Sequence, residues 1–577
     1  MKVKLARMAG FCMGVRRALE MVLAAANRGD GPLYTLGPLI HNRQVMELLE
    51  SKGVKPVEDV SEIKNGILVL RAHGIPPQDR KRIKDSGLAL IDATCPRVAR
   101  VQSIIRYHTR RGYSAVIVGE EDHPEVIGLM GYGNDRTFVI SNPSQVELLP
   151  PDGKLIVVAQ TTQEKQNYDQ IAQRIKERVP GAIVFDTICD ATLNRQHEVR
   201  SLAPYVDAMV VVGGYHSGNT RRLAQVSRST GIPTFHVETE KDLDKTKLAS
   251  LEVIGVTAGA STPNWMIKNV VRELESIRTR RDSRLVRWSR TAIRGLLQTN
   301  ILVAAGAFSL SYAAAILAGR KPDFLHPLIA ALYIYAMHAL NRLLDKGAST
   351  YNDPERASFY RRYRAPLVLS GISSIAGALV LSYILGFRVF LAVLGLSVLG
   401  TIYSVPLLPR GSKKAWRYYK IKDIPGSKTL SQALAWGALI ALVPTLESAN
   451  PAWGVAIVSF CYIFSIVYVR SALFDIFQAQ GDLIVGAETL PITLGERRTL
   501  VLLKVFVLFA AAVLALAALI RAAGGFSFFL LLSCLYLGLC VLAYEKRWLY
   551  PGPRLEALVE GNLLLIGLLA LSWQLIT

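Results

Sequence analysis

The stretch AGFCMGVRRALE, residues 9–20, sets a lone cysteine, Cys12, where a short apolar segment gives way to a helical pattern. The same junction recurs twice. LALIDATCPRVARVQSIIRY carries Cys95 and GAIVFDTICDATLNRQHEVRSL carries Cys189, each after a strand-like apolar run and before a helical one. A lone cysteine at a strand end is ordinarily a small buried hydrophobe. Three repetitions of one context argue instead for thiols gathered on a shared soft metal centre, in an internally repeated α/β architecture. No CxxC spacing of a zinc ribbon or a ferredoxin is present, so the local pattern names no particular metal.

Working outward, other strand-to-helix junctions carry polar side chains in the same position. YTLGPLIHNRQVMELL has His41, ILVLRAHGIPPQDRKRI has His73, and AVIVGEEDHPEVIGLM has His123 and Glu125. LIVVAQTTQEKQNYDQIA has Thr161, AMVVVGGYHSGNTRRLAQV has Ser217, Gly218 and Asn219, and VIGVTAGASTPNWMIKNVV has Ser261. In open parallel sheets, ligands collect outside the carboxyl ends of the strands, where helix N-termini offer free N–H groups. The junctions are therefore expected to line one crevice whose histidine, hydroxyl and amide donors suit phosphate. Glu125 is the carboxylate expected to deliver protons. Thr161 and Ser261 also read as plain helix caps. His108, His197 and His236 sit in ordinary helical or strand-edge contexts and His216 beside the SGNT turn; none is given a role.

Composition changes once along the 577 residues. Up to about residue 280 strands and helices alternate, whereas from about 297 apolar runs of about 18 to 22 residues follow, the length that crosses a bilayer. Nine spans are expected, beginning near residues 297, 325, 366, 388, 430, 452, 500, 525 and 558. Much of the +22 formal charge lies beside them, so membrane lipid, and not nucleic acid, is the expected partner. Loops on one side carry RASFYRRYR, PRGSKKAWRYYKIK, GERR and EKRW, while those opposite offer little beyond Arg320, Lys321, Arg388 and Arg521. That asymmetry puts the first half on the cytoplasmic side of the inner membrane. Six cysteines do not read as a secreted disulfide framework, and MKVKLARMAG has no signal-peptide apolar core, which agrees with a reducing compartment.

The second span ends in YAMHALNRLLDKGASTYNDPER, with Asn341 and Asp345 one helical turn apart, and the sixth in VRSALFDIFQAQGDLIVGAETLP, with Asp475 and Asp482. Carboxylates at membrane depth are costly and mark function, although a headgroup-zone position accounts for any one of them alone. Two such clusters on one side suit magnesium and a diphosphate. NRLLD and DIFQAQGD...ETLPITLG resemble the UbiA-type intramembrane prenyltransferases over about residues 290 to 577. The resemblance implies a magnesium-held polyprenyl diphosphate whose prenyl group passes to an aromatic or lipid acceptor. Ser349 and Gln478 stand where that family usually has aspartates, and Asp353 is a candidate substitute.

In the first half FCMGVRRA, GPLIHN, RAHG, DATCP, HPEV, QTT, TICDAT.NRQ, SGNT and TAGAS, in this order over about residues 1 to 278, resemble the hydroxymethylbutenyl diphosphate reductases. The resemblance implies a three-lobed, pseudo-threefold α/β fold around a 4Fe-4S cluster on Cys12, Cys95 and Cys189, with one iron left open. It further implies that His41, His73, His123, Ser217, Asn219 and Ser261, with the backbone of Gly218, hold the diphosphate, that Thr161 positions the substrate's hydroxyl, and that Glu125 relays protons. A ferredoxin or flavodoxin is the implied electron donor.

The expected organisation is a reductase domain at 1–280, a basic juxtamembrane linker at 281–296 that includes Trp288, and an all-α polytopic membrane domain at 297–577. Two rival readings remain: a membrane half that is only an anchor, and a first half that is a zinc or redox-sensing module regulating a prenyltransferase.

Overall fold

Unbroken apolar runs such as SAVIV, LIVVA and AMVVV form strands buried along their whole length, the pattern of parallel sheets covered on both faces. The structure, a computed structural model, describes residues 1–29, 31–150, 153–277, 284–344, 351–403, 406–410, 417–420, 424, 426–447, 452–485, 487, 489–520 and 523–577. It divides into two units, Met1–Asp282 and Ser283–Thr577.

The strands of the first unit are β1 (Lys2–Leu5), β2 (Leu33–Leu36), β3 (Val54–Val57), β4 (Ile67–Leu70), β5 (Ala89–Asp92), β6 (Ser114–Val118), β7 (Thr137–Ile140), β8 (Leu155–Ala159), β9 (Ile183–Val184), β10 (Ala208–Val212), β11 (Thr234–Val237) and β12 (Val253–Ala258). They make three four-stranded sheets, ordered β3-β2-β4-β5, β7-β6-β8-β9 and β11-β10-β12-β1. Every pairing is parallel. Within each sheet the first strand pairs with the second and third, and a fourth flanks the third. In the last sheet the chain's own start, β1, takes that fourth place.

The helices are α1 (Met13–Arg28), α2 (Arg43–Ser51), α3 (Pro77–Asp85), α4 (Pro96–Thr109), α5 (Pro124–Met130), α6 (Lys165–Arg178), α7 (Asp190–Leu202), α8 (Gly218–Ser229), α9 (Lys245–Leu248) and α10 (Asn264–Ser276). Proline begins α4 and α5, where its missing N–H costs nothing and its fixed φ favours the first turn. Side chains such as Val116, Val157 and Val210 are fully buried, each contributing about 1.5 to 3 kcal/mol.

The second unit is helical. Among the described residues six helices are long and apolar enough to cross a membrane, or seven if Thr291–Gln298 and Ile301–Leu317 count as one bent span. The nine expected spans exceed that number for physical reasons. Phe387–Ile402 has 16 residues, short of a ~30 Å hydrocarbon core at ~1.5 Å per residue. Leu325–Leu344 is interrupted by His326, His338, Asn341 and Arg342.

The basic segment forms a helix over Arg284–Gln298, with Trp288 exposed, and the chain then bends by 76°. At the bend Asn300 has a left-handed backbone (φ 61°), which asparagine tolerates better than most residues. Its buried side chain donates to the Tyr360 hydroxyl at 2.6 Å and accepts from Arg356 at 2.6 Å. A buried ion pair, Arg470 with Glu560, joins Trp453–Val485 to Pro553–Ile576.

Candidate functional site

Each of the three cysteines follows the fourth strand of its own sheet and caps the next helix: Cys12 after β1 caps α1, Cys95 after β5 caps α4, and Cys189 after β9 caps α7. Their backbone N–H groups are anchored alike. Cys12 donates to Ala260 at 3.1 Å, Cys95 to Ala72 at 3.0 Å and Cys189 to Thr161 at 2.9 Å, each acceptor lying just past the third strand of the same sheet. All three thiols are half-buried and free of disulfides.

Burial pushes the Cys95 thiol up, the N–H groups of Arg97 and Val98 pull it down, and Cys12 and Cys189 add to the rise, so the three sulfurs stand within electrostatic reach of one another. For Cys95 burial therefore outweighs the pull of the helix N-terminus on its thiolate. Gly14 makes the approach possible, because a Cβ there would lie 2.6 Å from Cys95 Sγ.

The three histidines converge. Ring centroids are 4.9 Å apart for His41 and His73, 6.1 Å for His41 and His123, and 5.7 Å for His73 and His123. Burial lowers the basicity of all three, most for His73, with neighbouring cationic groups adding to the effect; His123 falls to about 4. His123 Nδ1 accepts the Glu125 backbone N–H at 3.1 Å, which leaves Nε2 to carry the proton of the neutral ring.

Beside them, Ser261 Oγ lies 3.2 Å from Ser217 Oγ and 3.4 Å from the His41 carbonyl. Gly218 packs against His123, where a Cβ would sit 3.3 Å from Nε2. His73 Nδ1 and Asn219 Nδ2 are buried with no hydrogen-bond partner among the described residues, the mark of groups that await a ligand. His216 also lies near enough to act on His41. His108 packs among Tyr107, Tyr113 and Phe185, and His236 bonds the Gly213 carbonyl at 2.9 Å.

Glu125 is 2 % exposed. Burial raises its carboxyl to about 7, although two bonds from Thr161 pull the other way.

In the second unit Asn341, Asp475 and Asp482 line one cavity of about 880 Å³, with Asp353 and Gln478. Asp475 accepts from Lys428 at 3.2 Å and Thr429 at 2.6 Å, and Asp482 from Asn352 at 2.9 Å. Asp353 lines the cavity while capping Pro354–Arg362, where its side chain accepts from the Arg356 N–H at 3.2 Å. Asp345 and Ser349 lie outside the described residues.

Comparison with known proteins separates the same two parts. Residues 3–275 match the family described as LytB protein, and residues 301–564 match the UbiA prenyltransferase family. The 4-hydroxy-3-methylbut-2-enyl diphosphate reductase of Trichlorobacter lovleyi is 42% identical over 277 residues, which cover 48% of this chain and 99% of that protein. The chain belongs to the 4-hydroxy-3-methylbut-2-enyl diphosphate reductase family. The reductase of Opitutus terrae is 40% identical over 289 residues, covering 48% of this chain and all of that protein. Among solved structures, the reductase from Plasmodium falciparum aligns at 33% identity and a TM-score of 0.46, over 47% of this chain and 87% of that one. A UbiA homolog from Archaeoglobus fulgidus, bound to DMAPP and Mg2+, aligns at 19% identity and a TM-score of 0.35, over 48% of this chain and 98% of that one.

The reductase unit's thiols fit a cluster better than one ion. Among the described residues no three His, Cys, Asp or Glu side chains stand close enough to hold a single metal, whereas three soft donors within electrostatic reach of one another suit a larger inorganic body. In the UbiA unit, paired carboxylates and an amide on one cavity fit a hard cation.

Several contributors escaped sequence reasoning. Gly14 and Arg195 sit inside the FCMGV and NRQ motifs without a chemical label; Arg195 holds the Cys12 loop by donating to the Gly10 carbonyl at 2.6 Å. Arg356, Arg361 and Arg364, counted as charges that orient the membrane domain, line the UbiA cavity with Arg342, Lys428 and Arg470.

Proposed function

We propose that the first unit reductively removes the hydroxyl of 4-hydroxy-3-methylbut-2-enyl diphosphate to give isopentenyl and dimethylallyl diphosphate. The observation that carries this reading is the convergence of His41, His73 and His123 on buried, partnerless donors in a fold whose three sheets each deliver one cysteine. The repeated strand order supports a pseudo-threefold arrangement.

His41, His73, His123, Ser217, Asn219 and Ser261, with the Gly218 N–H, bind and orient the diphosphate. Cys12, Cys95 and Cys189 would hold a 4Fe-4S cluster, which when bound supplies electrons and an iron without a protein ligand. Thr161 fixes both oxygens of Glu125 by donating its N–H at 2.7 Å and its hydroxyl at 2.8 Å. At about 7, the Glu125 carboxyl is poised to carry a proton toward the departing hydroxyl near neutral pH. The histidines, whose basicity burial lowers, take on positive character as the diphosphate arrives.

The second unit transfers a prenyl group from a polyprenyl diphosphate. Asn341, Asp345, Asp475 and Asp482 are its magnesium ligands, and the arginines of the cavity face the diphosphate charge. We place the boundaries at 1–280, 281–296 and 297–577, and read nine spans in the inner membrane, with the short Phe387–Ile402 and the polar-interrupted Leu325–Leu344 counted among them and the reductase in the cytoplasm. A ferredoxin or flavodoxin supplies electrons.

One experiment tests both halves. Isolated membranes receive hydroxymethylbutenyl diphosphate, a reductant and a polyprenyl diphosphate, and five-carbon products and prenylated lipid are assayed together. Glu125→Gln should abolish the five-carbon products alone, and Asp475→Ala the prenylated lipid alone. Retained prenyl transfer in the second variant would make the membrane unit an anchor.

A further inference from the structure

We propose that the outer face of α4 is the docking surface for the electron carrier, a small redox protein with an acidic surface. This rests on the reductase reading and adds the place where the partner binds.

α4 begins directly after Cys95, so one end of it is a cluster thiol. Its buried side is Val98, Val101, Gln102 and Ile105. The 3.6-residue period therefore turns Arg100, Arg106 and Tyr107 outward, Arg110 and Arg111 follow directly past the helix end, and all five are exposed. From Pro96 to Arg111 the chain has five arginines and no aspartate or glutamate. At ~1.5 Å per residue this is an uninterrupted basic strip about 20 Å long. At its inner end Arg97 pairs with Asp190, the residue after Cys189, so the strip leads toward two of the three thiols. At its outer end Tyr107 is 54% exposed, with the Arg111 guanidinium 3.3 Å from its ring centroid. A fixed aromatic beside arginine is the usual anchor of a protein interface.

The chemistry requires such a visitor. Breaking the carbon–oxygen bond of the allylic alcohol consumes two electrons and two protons and releases water with the five-carbon diphosphate. The electrons come from a reduced carrier, which leaves oxidised. An acidic carrier is drawn to a basic strip by long-range attraction, and contact there puts its redox group over the helix that holds Cys95. An anionic bilayer would gain the same charge attraction, but the strip offers a single aromatic and no exposed large aliphatic side chain to insert.

The test uses the full-length, cluster-loaded protein in nanodiscs, with two electron sources: dithionite-reduced methyl viologen and a reduced acidic plant-type ferredoxin. In the variant Arg100→Glu/Arg106→Glu/Arg110→Glu the ferredoxin-driven kcat/KM should fall about tenfold or more and lose its salt dependence, while the viologen-driven rate stays within about twofold. Tyr107→Ala should weaken the ferredoxin-driven rate alone. Equal ferredoxin-driven rates and salt dependence in variant and wild type would overturn the proposal. So would a variant defect that appears only when anionic lipid is present in the nanodisc. If the viologen-driven rate falls as well, hydrogen exchange on wild-type protein decides: ferredoxin protects α4, or the proposal fails. Absence of viologen-driven turnover in wild type would instead sink the reductase reading, leaving docking to the exchange measurement.

Discussion

Thr161 grips both carboxylate oxygens of Glu125, its backbone N–H 2.7 Å from Oε1 and its hydroxyl 2.8 Å from Oε2. Those bonds favour the charged form, yet burial wins and the carboxyl titrates near 7. The pair is thus set to exchange a proton at neutral pH.

Glu125 must be protonated to donate, so turnover should fall as pH rises through about 7, and Thr161→Val should move that limb upward. Since the folded value lies above the ordinary 4.5, the cost to stability is absent below about 4.5, grows up to about 7 and is then constant, at about 3 kcal/mol. Glu125→Gln should therefore be inactive yet more stable than wild type at pH 8, measured by denaturant unfolding. Equal stability at pH 5 and pH 8 would contradict the burial argument.

Diphosphate binding should take up protons. His123 titrates near 4 and His41 and His73 are lowered too, so an arriving polyanion raises all three. Titration calorimetry with inorganic diphosphate in two buffers of different ionisation enthalpy should read uptake of about one proton near pH 6, declining at higher pH. The same heat in both buffers would show that the histidines remain neutral.

Gly14→Ala should cost the cluster more than the fold. A methyl group there meets Cys95 Sγ at 2.6 Å, whereas alanine suits a helix better than glycine. The expected outcome is a loss of most visible absorbance near ~400 nm with unfolding changed by under ~2 kcal/mol. Full absorbance in the variant would mean that Cys95 has room to move.

In the membrane unit Arg470→Leu leaves the Glu560 charge buried, and unfolding in detergent should weaken by about 3 to 5 kcal/mol. The double variant Arg470→Leu/Glu560→Leu should recover most of that. Additive losses would mean that each side chain has a separate partner.

Much was legible in the chain itself. Cys12, Cys95 and Cys189 announced themselves because a strand end followed by a helix start is a local pattern, written within about ten residues. The lengths of the apolar runs were legible too, as was the change of character near residue 280. Convergence was not. No local rule says that His41, His73 and His123 form a triangle with sides between 4.9 and 6.1 Å, because those contacts are made between separate strand ends. Nor does one say that Arg356 faces a cavity rather than a headgroup. Gly14 carried no chemical signal at all, since its function is the space it leaves. What the sequence determined by itself were periodicities and residue types, which depend on neighbours along the chain. What only the tertiary structure decided were burial and spacing, which raise Glu125, silence the histidine charges and turn Cys95 against its helix dipole, because these depend on what is packed around a group.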